Sequence, residues 1–187
     1  MRDESRDART VLDERERDFL LAKARVTMKS SLENIDLGDY KLDGVKEGES
    51  VELPRWVAEE LVRMNLADAP EEPFEMEIVK ALSREKMMGP LQLSPLPGDF
   101  YVRMRRRLAY LEAAAKEGKV RREDHERVRA SSYDLIGMRL SKLLALSSTS
   151  ATAASLADKL SPEERAFFST SQSFSREWKE AMLGGAT

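Results

Sequence analysis

Two spacings of apolar residues divide the chain. Residues 1–24 open with a dense mixture of Arg, Asp and Glu, and apolar side chains gather only at Phe19, Leu20 and Leu21. This predicts a helical arm, exposed at first and docked at its end, with residues 1–8 either helical or frayed. Arg25-Val26-Thr27-Met28-Lys29 then alternates polar and apolar, the period of a half-buried strand. Turn chemistry follows at 37–40, at Asp43-Gly44 and at Glu47-Gly48, and Ser50-Val51-Glu52-Leu53 alternates again. Short strands joined by tight turns give a small twisted sheet rather than an independent barrel.

From Pro54 the period changes to that of a helix. Proline suits the first helical position, where its missing N–H is no loss. Trp56, Val57, Leu61 and Met64 form a face able to cover the sheet, and Pro70 and Pro73 end the unit. Residues 74–88 read as a helix with Ile78, Leu82 and Met87 on its apolar side. Residues 89–98 hold three prolines and two glycines, which bar helix and predict an interdomain linker able to let the small domain reorient. Asp99 can cap the next helix, where Tyr101, Met104, Leu108, Leu111 and Ala115 recur at helical steps up to Gly118. A long helix over about 123–146 carries Val128, Leu135, Ile136, Leu140, Leu143 and Leu144. Residues 147–155, rich in Ser, Thr and Ala, form either a loop or a weak helix. Ser161-Pro162-Glu163-Glu164 is a helix start with a capping box. Phe167, Phe174, Trp178 and Met182 stripe the last helix, which Gly184-Gly185 closes.

The predicted fold is mainly α with a small α+β domain: an N-terminal small β-containing domain, then a helical bundle domain. Its divisions are a charged arm at 1–24, the small domain at 25–70, a connecting helix and proline-rich linker at 71–98, and the helical domain at 99–187. Composition agrees. Charged residues are 35% and aromatics 6% of 187, a mix suited to long solvated helices. The formal net charge of -3 lacks the basic excess of non-specific nucleic-acid binders. No apolar run approaches the roughly 18 residues of a membrane span, and the charged N-terminus is no signal peptide.

Candidate chemistry is sparse. There is no cysteine, which removes disulfides, thiolate metal sites and cysteine nucleophiles. His125 is the single histidine, in a charged helical turn, and reads as a solvated surface residue. Phosphate-binding glycine loops and the nucleophile elbow are absent. No cofactor and no metal site is expected, nor an enzyme. Arg103, Arg105, Arg106 and Arg107 spread over about 220° of a helix. They serve either DNA or an acidic partner, or form ordinary ion pairs on a solvated face. Arg139 and Lys142, three apart, are expected to flank a buried seam with packed stems and wet charges. Phe174 and Trp178, four apart, share one face and serve either core packing or contact with another subunit.

Two groups of residues resemble the GINS family of replication-fork proteins. The first is Leu53-Pro54-Arg55-Trp56-Val57-Ala58 with Leu61, preceded by Lys46-Glu47-Gly48-Glu49. It is similar to the family's small domain, where a glycine turn, a strand and an "LP-x-W-x-A-x-x-L" helix follow one another. The second runs from Leu96-Pro97-Gly98-Asp99-Phe100-Tyr101 into a basic helix. It continues with Arg139-Leu140-Ser141-Lys142-Leu143 and Leu160-Ser161-Pro162-Glu163-Glu164, similar to the "R-x-x-K-L" helix and "L-[ST]-x-E-E" start of the helical domain. The small domain comes first, as in the archaeal class related to the eukaryotic second and third partner-of-Sld-five subunits.

The resemblance implies a non-catalytic scaffold, cytoplasmic and nucleoid-associated, in a tetramer made of one or two subunit classes. It implies as partners other GINS subunits, the MCM helicase that the complex stimulates, a RecJ-like or Cdc-type replisome protein, and primase or DNA polymerase, with DNA touched only indirectly. Tyr101, Met104, Leu108, Arg139, Leu143, Phe174 and Trp178 are the expected subunit interface, and the arginines at 103–107 the alternative partner or DNA patch.

Overall fold

The computed structural model describes residues 8–33, 35–36, 41–42, 44–70 and 74–184. Two compact units emerge: Glu14–Glu72, and Met1–Asp13 with Pro73–Thr187, so the division falls inside the first helix, α1 (Ala8–Leu21). The expected turn at 37–40, Asp43, Pro73, Gly185 and residues 1–7 lie outside the described residues.

In the first unit, strand β1 (Lys23–Met28) is central, with β4 (Ser50–Pro54) and β5 (Ala67–Asp68) antiparallel on its two sides. Val26 opposes Val51, and Ala24 opposes Leu53. A separate two-stranded pairing joins β2 (Ile35–Asp36) to β3 (Lys41–Leu42). The alternation read at 25–29 is the burial pattern found: Val26 and Met28 turn inward beneath helix α2 (Arg55–Arg63). Pro54 sits one place earlier than expected, as the last residue of β4, and the helix begins at Arg55. Val57, Ala58 and Leu61 meet the sheet, whereas Trp56 and Met64 are exposed, because the covering face is one step narrower than the apolar stripe. Asn65 takes φ 60° to close α2: its N–H bonds the Val62 carbonyl and that of Leu66 the Leu61 carbonyl, a paired C-terminal cap. At the end of α1, Phe19 is buried under the Arg55 guanidinium, 4.1 Å from its ring centre. Val11 is buried as well, so the early part of this arm is not wholly exposed.

The second unit is a helical bundle of α3 (Phe74–Met87), α4 (Phe100–Lys116), α5 (Arg122–Ser147) and α6 (Pro162–Met182). Phe74, Ile78, Ala81, Leu82, Phe100, Met104 and Leu135 form one core cluster. Leu93, Leu143, Leu146, Leu160 and Phe168 form another. Helix α3 is thus part of the bundle rather than a connector. The proline-rich stretch is no free linker either: Leu93, Ser94 and Leu96 are buried, and it joins two helices of one unit. Asp99 precedes α4 without a side-chain cap. Gly118, at φ 73°, closes that helix as expected, with Lys119 N–H on the Ala114 carbonyl. Beyond Ser147 the Ser/Thr/Ala tract forms turns, not helix. Helix α6 opens on the predicted capping box, Ser161 Oγ accepting from Glu164 N–H at 3.2 Å and Glu164 Oε2 accepting from Ser161 N–H at 3.0 Å.

Phe168, with no exposed surface, is the anchor of α6. Phe168→Ala is expected to cost about 3–5 kcal/mol, readable as a lowered denaturant midpoint with unchanged slope. Neighbouring Phe167, 36% exposed, lies outside the core clusters, and its alanine variant is expected to cost well under half as much.

Candidate subunit interface

The bundle is organised by four charges removed from water. Arg139 of α5 is 1% exposed, yet all five of its N–H donors are used. Its Nε and Nη2 grip the two carboxylate oxygens of Glu164, the Nη2 bond being 2.7 Å. Nη1 donates to Glu85 Oε2 and to the Ser94 carbonyl, both at 2.8 Å. Nη2 also reaches the Lys159 carbonyl at 2.9 Å. One turn on, Lys142 donates to Glu85 Oε1 at 2.7 Å and to the Glu85 carbonyl at 2.8 Å. Ser94 gives Glu85 Oε2 both its N–H and its hydroxyl, and Tyr101 donates its hydroxyl to Glu164 Oε1 at 2.7 Å. The two cations and two carboxylates balance. Arg139 and Lys142 were expected to keep wet charges; both charges are inside, because Glu85 and Glu164 arrive from α3 and α6 to meet them.

The electrostatics follow from that enclosure. Burial pushes the Glu85 carboxyl up, but the Lys142 and Ser94 hydrogen bonds and the Arg139 charge outweigh it and hold Glu85 below the ordinary carboxylate value. Burial, then the Glu164 charge, drives the Tyr101 hydroxyl far above its usual range, so it stays a donor. Burial disfavours the Arg139 cation, but the Glu164 hydrogen bond and charge more than restore it.

The expected interface residues separate in this frame. Arg139 is internal, so it has no surface to offer another subunit; Met104 and Leu143 are buried, and Tyr101 and Leu108 half-buried. Phe174 and Trp178 are 67% and 57% exposed, and Met182 continues their stripe along α6. Of the α5 stripe, Ile136, Leu140 and Leu144 are exposed, while Leu135 and Leu143 are buried. Ile136, Leu140 and Phe167 open on an almost wholly apolar groove whose floor includes Met104 and Leu143.

The arginine run does not present one cationic face. Arg103 lies 4.5 Å over the Phe74 ring, and Arg107 bonds Glu75 through Nε at 2.7 Å while stacking on Tyr110. Arg106 is half-buried, and exposed Arg105 borders the apolar groove. His125 is not a solvated residue: its side chain is 13% exposed, in a cavity between α4 and α5 with Glu112, Lys116 and Arg129. Among the described residues no group of acidic or histidine side chains could hold a metal ion, and no helix is long and apolar enough to cross a membrane.

One unit with a small antiparallel sheet and a second, a helical bundle with an ion-paired interior and exposed apolar side chains on α5 and α6, define a mainly helical protein. The family model for the GINS complex protein helical bundle domain matches residues 56–183. The chain belongs to the GINS family of DNA-replication proteins. No curated protein is matched by the chain.

Arg139→Ala strips both carboxylates of their shared partner, and a loss of about 3–5 kcal/mol is expected in chemical denaturation. Glu85, with its folded value lowered, contributes stability that is complete above the ordinary carboxylate value of 4.5 and is lost as pH falls through the folded value. Acid titration of thermal stability is therefore expected to show a decline starting below about pH 5 that is shallower in Glu85→Gln.

Proposed function

We propose that this GINS subunit is a non-catalytic scaffold of the archaeal class that places its small β-containing domain first. It joins other GINS subunits in a tetramer through the exposed apolar faces of α5 and α6. The tetramer, of one or two subunit classes, bridges and stimulates the MCM helicase and a RecJ-like or Cdc-type partner, with primase or DNA polymerase as further contacts and DNA touched only indirectly. It acts in the cytoplasm, at the nucleoid.

The exposure of Phe174, Trp178 and Met182 carries this reading. Aromatic and methionine side chains are enriched at subunit interfaces, and contiguous apolar surface on a soluble helix marks a contact. The element order supports the class: unit Glu14–Glu72 precedes the bundle helices α3–α6.

Light scattering on the chain, alone and mixed with the helical-domain-first subunit, tests assembly. Four copies of a 21.2 kDa chain would weigh about 85 kDa. Phe174→Ala with Trp178→Ala is expected to leave the isolated chain's melting temperature nearly unchanged and to weaken assembly by about 100-fold, at roughly 1.4 kcal/mol per aromatic. A monomer in both samples, or a double variant that assembles normally, would refute the proposed interface.

A further inference from the structure

One wall of the apolar groove beside α5 and α6 comes from the start of α1 in the same chain. Leu12 of α1 lines it with Met104, Ile136, Leu140, Leu143 and Phe167. Val11 and Leu12 are the only apolar residues between positions 9 and 18, a stretch otherwise of Arg, Asp, Glu and one Thr. In the fold Val11 is buried and Leu12 half-buried. The first turns of α1 thus place one apolar side chain, Leu12, against the groove and bury its neighbour Val11. The seat is incompletely filled: a cavity of about 290 Å³ remains among these residues, open on one side. Leu12 therefore lines the groove without filling it, and a longer apolar helix face would bury more of the same wall.

We infer that residues 8–13 act as the free chain's own cover for this groove, and that a partner GINS subunit docking on Ile136, Leu140 and Phe167 does so in competition with them. The inference rests on the proposed reading of the α5–α6 face as a subunit interface and adds a regulation to it. Leu12 narrows access to Ile136, Leu140 and Phe167, which stay 42%, 41% and 36% exposed with it in place. It lowers the apparent affinity for the partner by the fraction of chains in which the groove is open. The contact to be displaced is that of the first turns of α1, where Val11 is buried and Leu12 lines the groove.

The absence of cysteine allows a clean reporter. Leu140→Cys places a thiol in the groove, and Leu144→Cys places one on α5 outside it; the native leucines are 41% and 48% exposed. Maleimide labelling of the isolated chain is expected to be several-fold faster at position 140 when Leu12→Asp is added, with position 144 unaffected. Equal rates at 140 would overturn the cover. Leu12→Ser repeats the comparison if circular dichroism shows Leu12→Asp unfolded. In the second arm, titration with the helical-domain-first subunit is expected to show several-fold tighter binding by Leu12→Asp. Weaker binding would make the segment part of the interface and overturn the competition. If neither form binds that subunit, the competition falls together with the proposed interface, while the labelling rates still decide whether residues 8–13 cover the groove.

Discussion

A guanidinium held out of water sets the terms for the whole bundle. Removing Arg139 from solvent carries a desolvation penalty that only a complete set of acceptors offsets. Those acceptors come from four places in the unit: Glu85 on α3, the Ser94 carbonyl in the proline-rich stretch, the Lys159 carbonyl before α6, and Glu164 within it. An alternative packing that shifted any one of these would leave a charge or carbonyl unpaired indoors. An apolar core tolerates such shifts more easily, since one leucine contact replaces another. The network therefore penalises any packing that separates these groups.

Glu164 shows how closely local and tertiary structure are joined. One carboxylate closes the capping box at Ser161, pairs with Arg139 and accepts the Tyr101 hydroxyl. The start of α6 is thereby set by groups on α4 and α5, not by its own sequence alone. With the start fixed, helical geometry decides the rest: Phe168, four residues on, turns into the core, while Phe167, Phe174 and Trp178 fall on the outward side. The proline-rich stretch is held by the same logic. Ser94 satisfies Glu85 through two donors and Arg139 through its carbonyl, so a segment with the composition of a linker becomes a packed strap.

Local rules were legible wherever the determinant lay within a few residues. The alternation at 25–29, the capping box at 161–164, the Gly118 stop and the helix starting at Phe74 all stand as read. The resemblance to the GINS family was carried by Arg139, Lys142 and Glu164 among others, and these proved to be the buried charges, although their burial was not foreseen. What failed needed knowledge of partners distant in sequence. The α5 stripe was read without its division between faces: helices packed on one side cover Leu135 and Leu143 and leave Ile136, Leu140 and Leu144 outside. Arg139 and Lys142 looked like snorkelling cations because Glu85 lies 54 and 57 positions away. The exposure of Phe174 and Trp178 was one of two open readings, and no periodicity separates a core stripe from an interface stripe.

The contrast between interior and exterior bears on function. Helices α5 and α6 bury Arg139, Lys142 and Glu164 while exposing Ile136, Leu140, Phe174, Trp178 and Met182. For a solitary globular chain this distribution is unfavourable at both places: the charges are desolvated and the aromatics are hydrated. The first disadvantage is offset within the chain, by pairing that also enforces a single packing. The second would be offset by a partner covering the surface, as proposed above. The proposed scaffold role would gain from such a division. Under that proposal the buried charges fix the geometry of the face before a partner arrives, and the exposed apolar groups supply the driving force for docking. Rigid presentation limits the ordering cost of association, so a modest strip of aromatic and aliphatic side chains can support a specific assembly.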